Sequence, residues 1–178
     1  MSDYTEKEYK IFEMFRRQWG LVTAGNGKHF NSCTIGWGSL GTLWTTKGGT
    51  GSVATVFVHH GRYTCDLLKE SDYFTVSFFP EEYRKALVTM GTLSGRDHDK
   101  PKEAGLTPVP LGEGMTYEEA SLTIYCRKIY QNRMAKEGIA KEYQEMYASN
   151  PVLYPVDENG QWQPHWVFVG EILQVLEK

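Results

Sequence analysis

Asn31-Ser32-Cys33-Thr34-Ile35-Gly36-Trp37-Gly38 sets amide, hydroxyl, thiol and indole groups on one short extended segment that finishes among glycines. Core strands usually carry β-branched and aliphatic residues at alternate positions. Glycines in such a segment instead let something approach the backbone closely. Two readings fit the stretch taken alone. It is a ligand-facing ribbon, with hydroxyls and main-chain N–H groups toward an anion and the Trp37 ring over a flat group, or it is a glycine-weakened edge strand with a buried Trp.

Immediately upstream, Leu21-Val22-Thr23-Ala24 reads as a strand, and Asn26-Gly27 within Gly25-Asn26-Gly27-Lys28 is a type I′ hairpin signal that delivers the chain into the ribbon. Before it, Tyr4, Ile11, Phe12, Phe15 and Trp19 recur roughly on one face, which predicts a packing helix over residues 1–19. Downstream, Lys47 to Ser52 reads as a flexible loop ahead of the apolar strand Val53 to Val58. Gly49-Thr50-Gly51-Ser52-Val53-Ala54 has the loose form of a dinucleotide fingerprint, but its glycines precede a β-branched strand instead of opening a helix, so it is set aside. His59-His60-Gly61-Arg62-Tyr63-Thr64 leads into a helix from Cys65 to Ser71 with Thr64 as N-cap. Arg62, beside free helix N–H groups, is either an anion site or a plain surface arginine.

Further on, Tyr73 to Phe79 is a strand stopped by Pro80, and Glu81 to Met90 is a helix ended by Gly91. The polar segment Gly91 to Pro101 gathers Ser94, Arg96 and Lys100 in a loop of the kind that closes over ligands. Glu119 to Tyr130 reads as a long strand and residues 135–148 as a peripheral helix. A second hairpin is expected from Val152 to Val156, through Asn159-Gly160, into a strand over residues 166–173. Many short strands with glycine turns and few helices predict a mainly β, closed or nearly closed antiparallel barrel in a single domain over residues 1–178.

Composition narrows the function. A net charge of −3 over 178 residues supplies no basic field for nucleic acid. Cys33, Cys65 and Cys126 are odd in number and widely spaced, which reads as reduced thiols in a cytoplasmic protein. Met1 to Lys7 carries no apolar signal core, and no apolar run reaches membrane-spanning length. An aromatic content of 13% suits flat ligands. His29, His59, His60, His98, His165 and the cysteines follow no metal-ligand spacing. Cys33 with His165 is a conceivable nucleophile pair, set against the reading of Cys33 as a small buried hydrophobe.

Taken in order, Leu21-Val22-Thr23, Asn31-x-x-Thr34-x-x-Trp37, Arg62-Tyr63-Thr64, Phe74-Thr75-Val76-Ser77, Gly91-Thr92-Leu93-Ser94-Gly95-Arg96-Asp97-x-Asp99-Lys100 and His165-x-x-x-x-Gly170-Glu171-Ile172 resemble the flavin reductase-like proteins, especially the flavoredoxin branch. That resemblance implies an FMN-binding split β-barrel of Greek-key antiparallel type, holding FMN without covalent attachment, usually at a homodimer interface. It implies that Asn31, Ser32, Thr34 and Trp37 lie against the cofactor, that Arg62 and Lys100 meet its phosphate and ribityl side with Ser94 in the same loop, and that His165 sits near the flavin ring and a nicotinamide. It further implies electron transfer from a donor such as NADH or NADPH, with no catalytic side chain required beyond alignment. The alternative is a non-enzymatic flavin carrier reduced by a redox protein partner. The chain departs from the family where Gly36 replaces a frequent hydroxyl and where His59-His60-Gly61 replaces Arg-Pro-Thr.

Overall fold

The computed structural model describes residues 4–46 and 49–178, and it organises them around nine strands and five helices. The strands are β1 (Gly20–Asn26), β2 (His29–Ile35), β3 (Gly38–Thr46), β4 (Gly49–Val58), β5 (Tyr73–Phe78), β6 (Pro108–Leu111), β7 (Gly114–Tyr117), β8 (Leu122–Arg133) and β9 (Trp166–Glu177). The helices are α1 (Ile11–Glu13), α2 (Tyr63–Glu70), α3 (Arg84–Thr92), α4 (Lys100–Ala104) and α5 (Lys141–Ser149). Seven strands form one antiparallel sheet in the order β2-β1-β5-β8-β9-β4-β3, and β6 and β7 pair by themselves. The expected mainly β architecture is therefore present, but the sheet does not close by hydrogen bonds. Its two edges are β2 and β3, which follow each other in the chain.

Alternation along β1 explains how the sheet is packed on both faces. Val22 and Ala24 join Phe74, Val76 and Cys126 in the larger apolar cluster. Leu21 faces the opposite side, with Leu87, Met90 and Tyr117. On that second side the sheet also buries hydroxyls that satisfy one another. Thr23 Oγ1 lies 2.7 Å from Ser32 Oγ, which lies 2.6 Å from Tyr117 OH. Ser77, Thr116 and Thr123 form a second such group. The β6–β7 hairpin, which carries Thr116 and Tyr117, thus covers a buried polar surface that an apolar partner would leave unpaired.

Several sequence expectations are corrected. The β1–β2 loop is Gly27-Lys28, since Asn26 pairs with His29. Only Gly27 of the two has positive φ, 53°, the pattern of a type II′ turn and not the expected type I′. The helix expected over residues 1–19 reduces to α1 and a five-residue π turn, Met14–Gln18, because its apolar residues form no common buried stripe: Phe15 is buried while Phe12 is 88% exposed. Residues 1–3 lie outside those described. Thr64 is not the N-cap of α2; that position belongs to Arg62, and the Thr64 hydroxyl accepts a 2.8 Å bond from Asn31 Nδ2. Gly91 lies inside α3 instead of ending it, and a Cβ there would come within 3.1 Å of Thr34. Its role is close approach to β2.

Gly49 to Ser52 is strand and not loop, while Lys47 and Gly48 are outside the described residues. The helix expected over residues 135–148 divides into a turn at Lys136–Gly138 and α5. No strand forms over 152–156. Pro151 and Pro155 remove backbone donors there, and the Asp157 carboxylate accepts the N–H groups of Asn159 and Gln161, closing an Asx turn in place of a hairpin.

Gly170, at the centre of β9, pairs with Ala54 and Lys128. A Cβ there would lie 2.5 Å from Cys126 Cβ and 2.6 Å from the Phe74 ring. Gly170→Ala is therefore expected to destabilise the fold by about 1–3 kcal/mol through overpacking, read as a lower urea midpoint with an unchanged m-value.

Candidate functional site at the seam

Gly36 and Trp37 carry the chain from one open edge of the sheet to the other. Trp37 O accepts a 3.3 Å bond from Phe57 N, so β4 anchors the crossing. The indole is 41% exposed and stands at the seam. Next to it is a partly polar cavity of about 180 Å³ lined by Cys33, Thr34, Trp37, His59, Arg62 and His165, with Tyr154 entering from the 150–165 segment. Gly36, Trp37 and Phe57 also line a larger chamber of about 880 Å³, walled mainly by apolar groups such as Phe15, Leu40, Ile139 and Tyr147. A cavity of mixed lining, with Ile35, Val58 and Leu153 beside its polar groups, and a mainly apolar chamber thus adjoin across one short stretch of chain.

The eight residues expected at a binding site divide into two groups. Thr34, Trp37, Arg62 and His165 line the seam cavity. Arg62 Nη1 donates to Gly91 O at 2.6 Å, and Thr34 Oγ1 donates to Leu87 O at 2.5 Å, so both are tied to α3. Asn31, Ser32 and Lys100 are buried beside the cavity and do not line it. Asn31 is held by Thr64, Ser32 by Thr23 and Tyr117, and Lys100 Nζ donates to Ser32 O at 2.6 Å. Ser94 caps the turn after α3, its Oγ accepting from Arg96 N at 3.2 Å.

Electrostatics at this end of β2 are lopsided. Among the described residues neither Arg62 nor Lys100 makes an ion pair with a carboxylate. Burial pulls the Lys100 ammonium below its ordinary range; Cys33 opposes that shift and Arg62 adds to it. Burial pushes the Cys33 thiol up, against a hydrogen bond from Thr64. A buried, protonated thiol is no nucleophile, which disposes of the Cys33–His165 pair.

Sequence reading named Trp37 as aromatic cover and missed the two tyrosines beside it, Tyr147 and Tyr154. Trp37 packs on His165 with ring centroids 4.3 Å apart, and Tyr154 lies within 6.3 Å of Trp37 and 5.8 Å of His165. Tyr147 OH is 2.6 Å from His165 Nδ1. Tyr154 falls in the segment misread as a strand, and nothing local in the sequence marks its partner. His59, noted only as a departure from the family, lies beside His165 and is hydrogen-bonded twice. Gly61 N donates to its Nδ1 at 3.2 Å, and its Nε2 therefore carries the proton donated to Gln163 O at 3.1 Å.

Comparison with known proteins bears on the family and the fold. A flavin reductase like domain is matched over residues 13–178. The chain belongs to that family. No curated protein matches it in sequence. Among solved structures, the flavin reductase-like chain is similar to an FMN-binding protein from Thermus thermophilus crystallised with p-hydroxybenzaldehyde, at 16% identity and a TM-score of 0.65 over 100% of this chain and 82% of that one. It is similar to the flavoredoxin of Desulfovibrio vulgaris (Miyazaki F), at 18% identity and a TM-score of 0.64 over 100% and 77%. It also resembles a Streptomyces globisporus NADH:FAD oxidoreductase in complex with NAD and FAD fragments, at 13% identity and a TM-score of 0.59 over 90% and 74%. These likenesses establish a common fold, the split barrel expected from the sequence, and the family places the chain among flavin reductase-like domains. Among the described residues no helix is long and apolar enough to cross a membrane.

The histidines of the site titrate far from their usual range. Burial, with His59, Arg62 and His60 adding positive charge, lowers His165 to about 3; burial, with His60 next, lowers His59 to about 4. A base whose pKa falls on folding binds fewer protons in the folded state, so the unfolded chain gains the advantage as pH drops below the unfolded value near 6.5. Stability is expected to be full above about pH 6.5 and to decline between there and about 3 to 4. His165→Gln should flatten that slope in urea unfolding series measured at successive pH values, whatever its effect at neutral pH.

Proposed function

We propose that this flavin reductase-like chain holds FMN across the seam without a covalent bond and passes electrons from NADH or NADPH to free flavin or another acceptor. The observation that carries the reading is the meeting of a partly polar cavity and an apolar chamber at Gly36, Trp37 and Phe57. FMN is divided in the same way, into a flat apolar ring system and a polar ribityl phosphate. The polar cavity by itself is smaller than the roughly 300–1,000 Å³ usual for small-molecule sites, whereas the chamber beside it falls within that range.

The donor set fits the phosphate end. A phosphate dianion wants converging cations and hydroxyl or N–H donors. Arg62 spends one N–H on Gly91 O and keeps the rest of its five donors. Ser94 accepts from Arg96 N, which leaves its own O–H to donate. Lys100 adds positive charge from behind β2 without touching the cavity, while the exposed Arg62 stands free of any carboxylate among the described residues. Asn31 and Ser32 act from opposite faces of β2, by fixing its backbone through buried hydrogen bonds.

Trp37, shared by both spaces, supplies aromatic cover to the ring, with Phe57 and Tyr147 on the chamber side and Tyr154 and the polar edge of His165 on the cavity side. Bound FMN would contribute one- and two-electron redox chemistry; the chain aligns the donor and limits access of water. The solved NADH:FAD oxidoreductase supports a nicotinamide donor, and the flavoredoxins support a carrier reduced by a protein partner. A second copy of the chain, expected from the family resemblance, would cover the exposed Leu43 and Trp44 on the part of the β3–β4 hairpin that has no third strand.

Purified protein is expected to be yellow, or to become so with FMN, and to release flavin on denaturation; a colourless protein that refuses FMN overturns the reading. Arg62→Ala should weaken FMN by about 1–3 kcal/mol and leave riboflavin affinity unchanged, as measured by fluorescence titration. Equal loss for both ligands would remove Arg62 from the phosphate site. Anaerobic bleaching by NADH or NADPH distinguishes a reductase from a carrier.

A further inference from the structure

His165 is the one histidine that touches both the seam cavity and the helix packed over it. Its surroundings come from four parts of the chain. Trp37 stacks on it from the seam, His59 approaches edge-on at 5.2 Å from the end of β4, Tyr154 meets it from the 150–165 segment, and Tyr147 of α5 binds its Nδ1. The charged or titratable groups that face it are His59, His60, Arg62, Tyr147 and Tyr154, and no carboxylate is among them.

The Tyr147 bond decides where the imidazole proton sits. Among the described residues Tyr147 OH meets only His165, at the ring Nδ1 and at the backbone N–H, which can only donate to it. Burial raises the phenol to about 12, so the hydroxyl stays protonated at neutral pH. The backbone N–H offers no lone pair, so Nδ1 is the one acceptor the protein presents to that proton. A neutral imidazole accepting at Nδ1 carries its proton on Nε2.

Nε2 has no protein partner among the described residues. The sealed polar side-chain atoms without partners are Tyr9 OH and Trp166 Nε1, so Nε2 is open, on a residue that lines the seam cavity. The result is a neutral N–H donor with a fixed tautomer beside an aromatic wall.

We propose that Tyr147 is a positioning residue that locks His165 as the Nε2–H tautomer and so gives the seam cavity a constant hydrogen-bond donor for an acceptor atom of the bound ligand, a carbonyl oxygen or an unprotonated ring nitrogen. The lock is a property of the chain by itself. Only the identity of the acceptor, a flavin ring atom, rests on the function proposed above. A neutral donor suits that task because it polarises an acceptor without bringing a second positive charge next to Arg62. The device also explains the use of α5, whose one buried residue is Tyr147.

Nitrogen-15 NMR of selectively histidine-labelled protein tests the lock without flavin. His165 is expected to show a pyridine-type Nδ1 and a pyrrole-type Nε2 at pH 7. Tyr147→Phe keeps the ring that stacks on Trp162 and deletes only the hydroxyl. It should produce a mixture of tautomers and raise the His165 titration midpoint by roughly half a unit or more, because a bond to the neutral form is lost. A pyrrole-type Nδ1 in the wild-type protein, or an identical tautomer and midpoint in Tyr147→Phe, overturns the lock. Added riboflavin should then move the Nε2 resonance and leave Nδ1 in place. If flavin binds and Nε2 does not move, the recognition half of the proposal is wrong. If no flavin binds, that half falls together with the proposed function, while the lock is still decided by the first measurement.

Discussion

An open antiparallel sheet leaves a row of unpaired N–H and C=O groups at each edge, and such edges have to be covered or kept apart. In this chain the two edges are β2 and β3, neighbours in sequence at opposite ends of the sheet order. Two residues, Gly36 and Trp37, span the gap between them. Closing that gap with ladder hydrogen bonds would complete a barrel and erase the polar cavity. Leaving it open requires other groups to occupy the seam, and Trp37, Tyr154, His165 and Tyr147 do so as a cluster of mutually tilted rings.

The cavity floor depends on what lies behind β2. One face of that strand is tied into a buried hydroxyl network with Tyr117, and Asn31 on the other face is tied to Thr64 of α2. Lys100 donates to a backbone carbonyl in the middle of the same strand. A buried ammonium with a single neutral partner is expensive, and its natural complement is an anion at the nearby Arg62. Arg62 therefore sets positive charge in the same cavity that Trp37, Tyr154 and His165 line, and the apolar chamber adjoins it through Trp37. The proposed FMN would use the first for its charged tail and the second for its flat ring.

Much of this was legible in the chain. Leu21 to Ala24, Val53 to Val58 and Tyr73 to Phe78 are short runs rich in β-branched and aromatic residues, and the stretch that holds β8 alternates in part, the composition of strands. The ordered landmarks from Leu21 to Ile172 identify the family. Errors fell where side chains outvote local propensity. Asp157 builds an Asx turn in a segment that reads as a hairpin, Gly91 serves close packing in a helix where it reads as a breaker, and Pro108 and Pro110 conceal the strand β6, which is tolerated because it is half of a two-stranded hairpin.

The sequence by itself determined the mainly β class, the family and the residue types of the site, because hydrophobic period, turn chemistry and motif order are local properties of the chain. Only the tertiary structure decided which of those residues face the cavity. Asn31, Ser32 and Lys100 turn inward to satisfy buried groups, while His59, Tyr147 and Tyr154 arrive from segments up to more than a hundred residues apart from the ribbon. Burial and hydrogen-bond partnership are settled between elements, and no single stretch of sequence contains both partners.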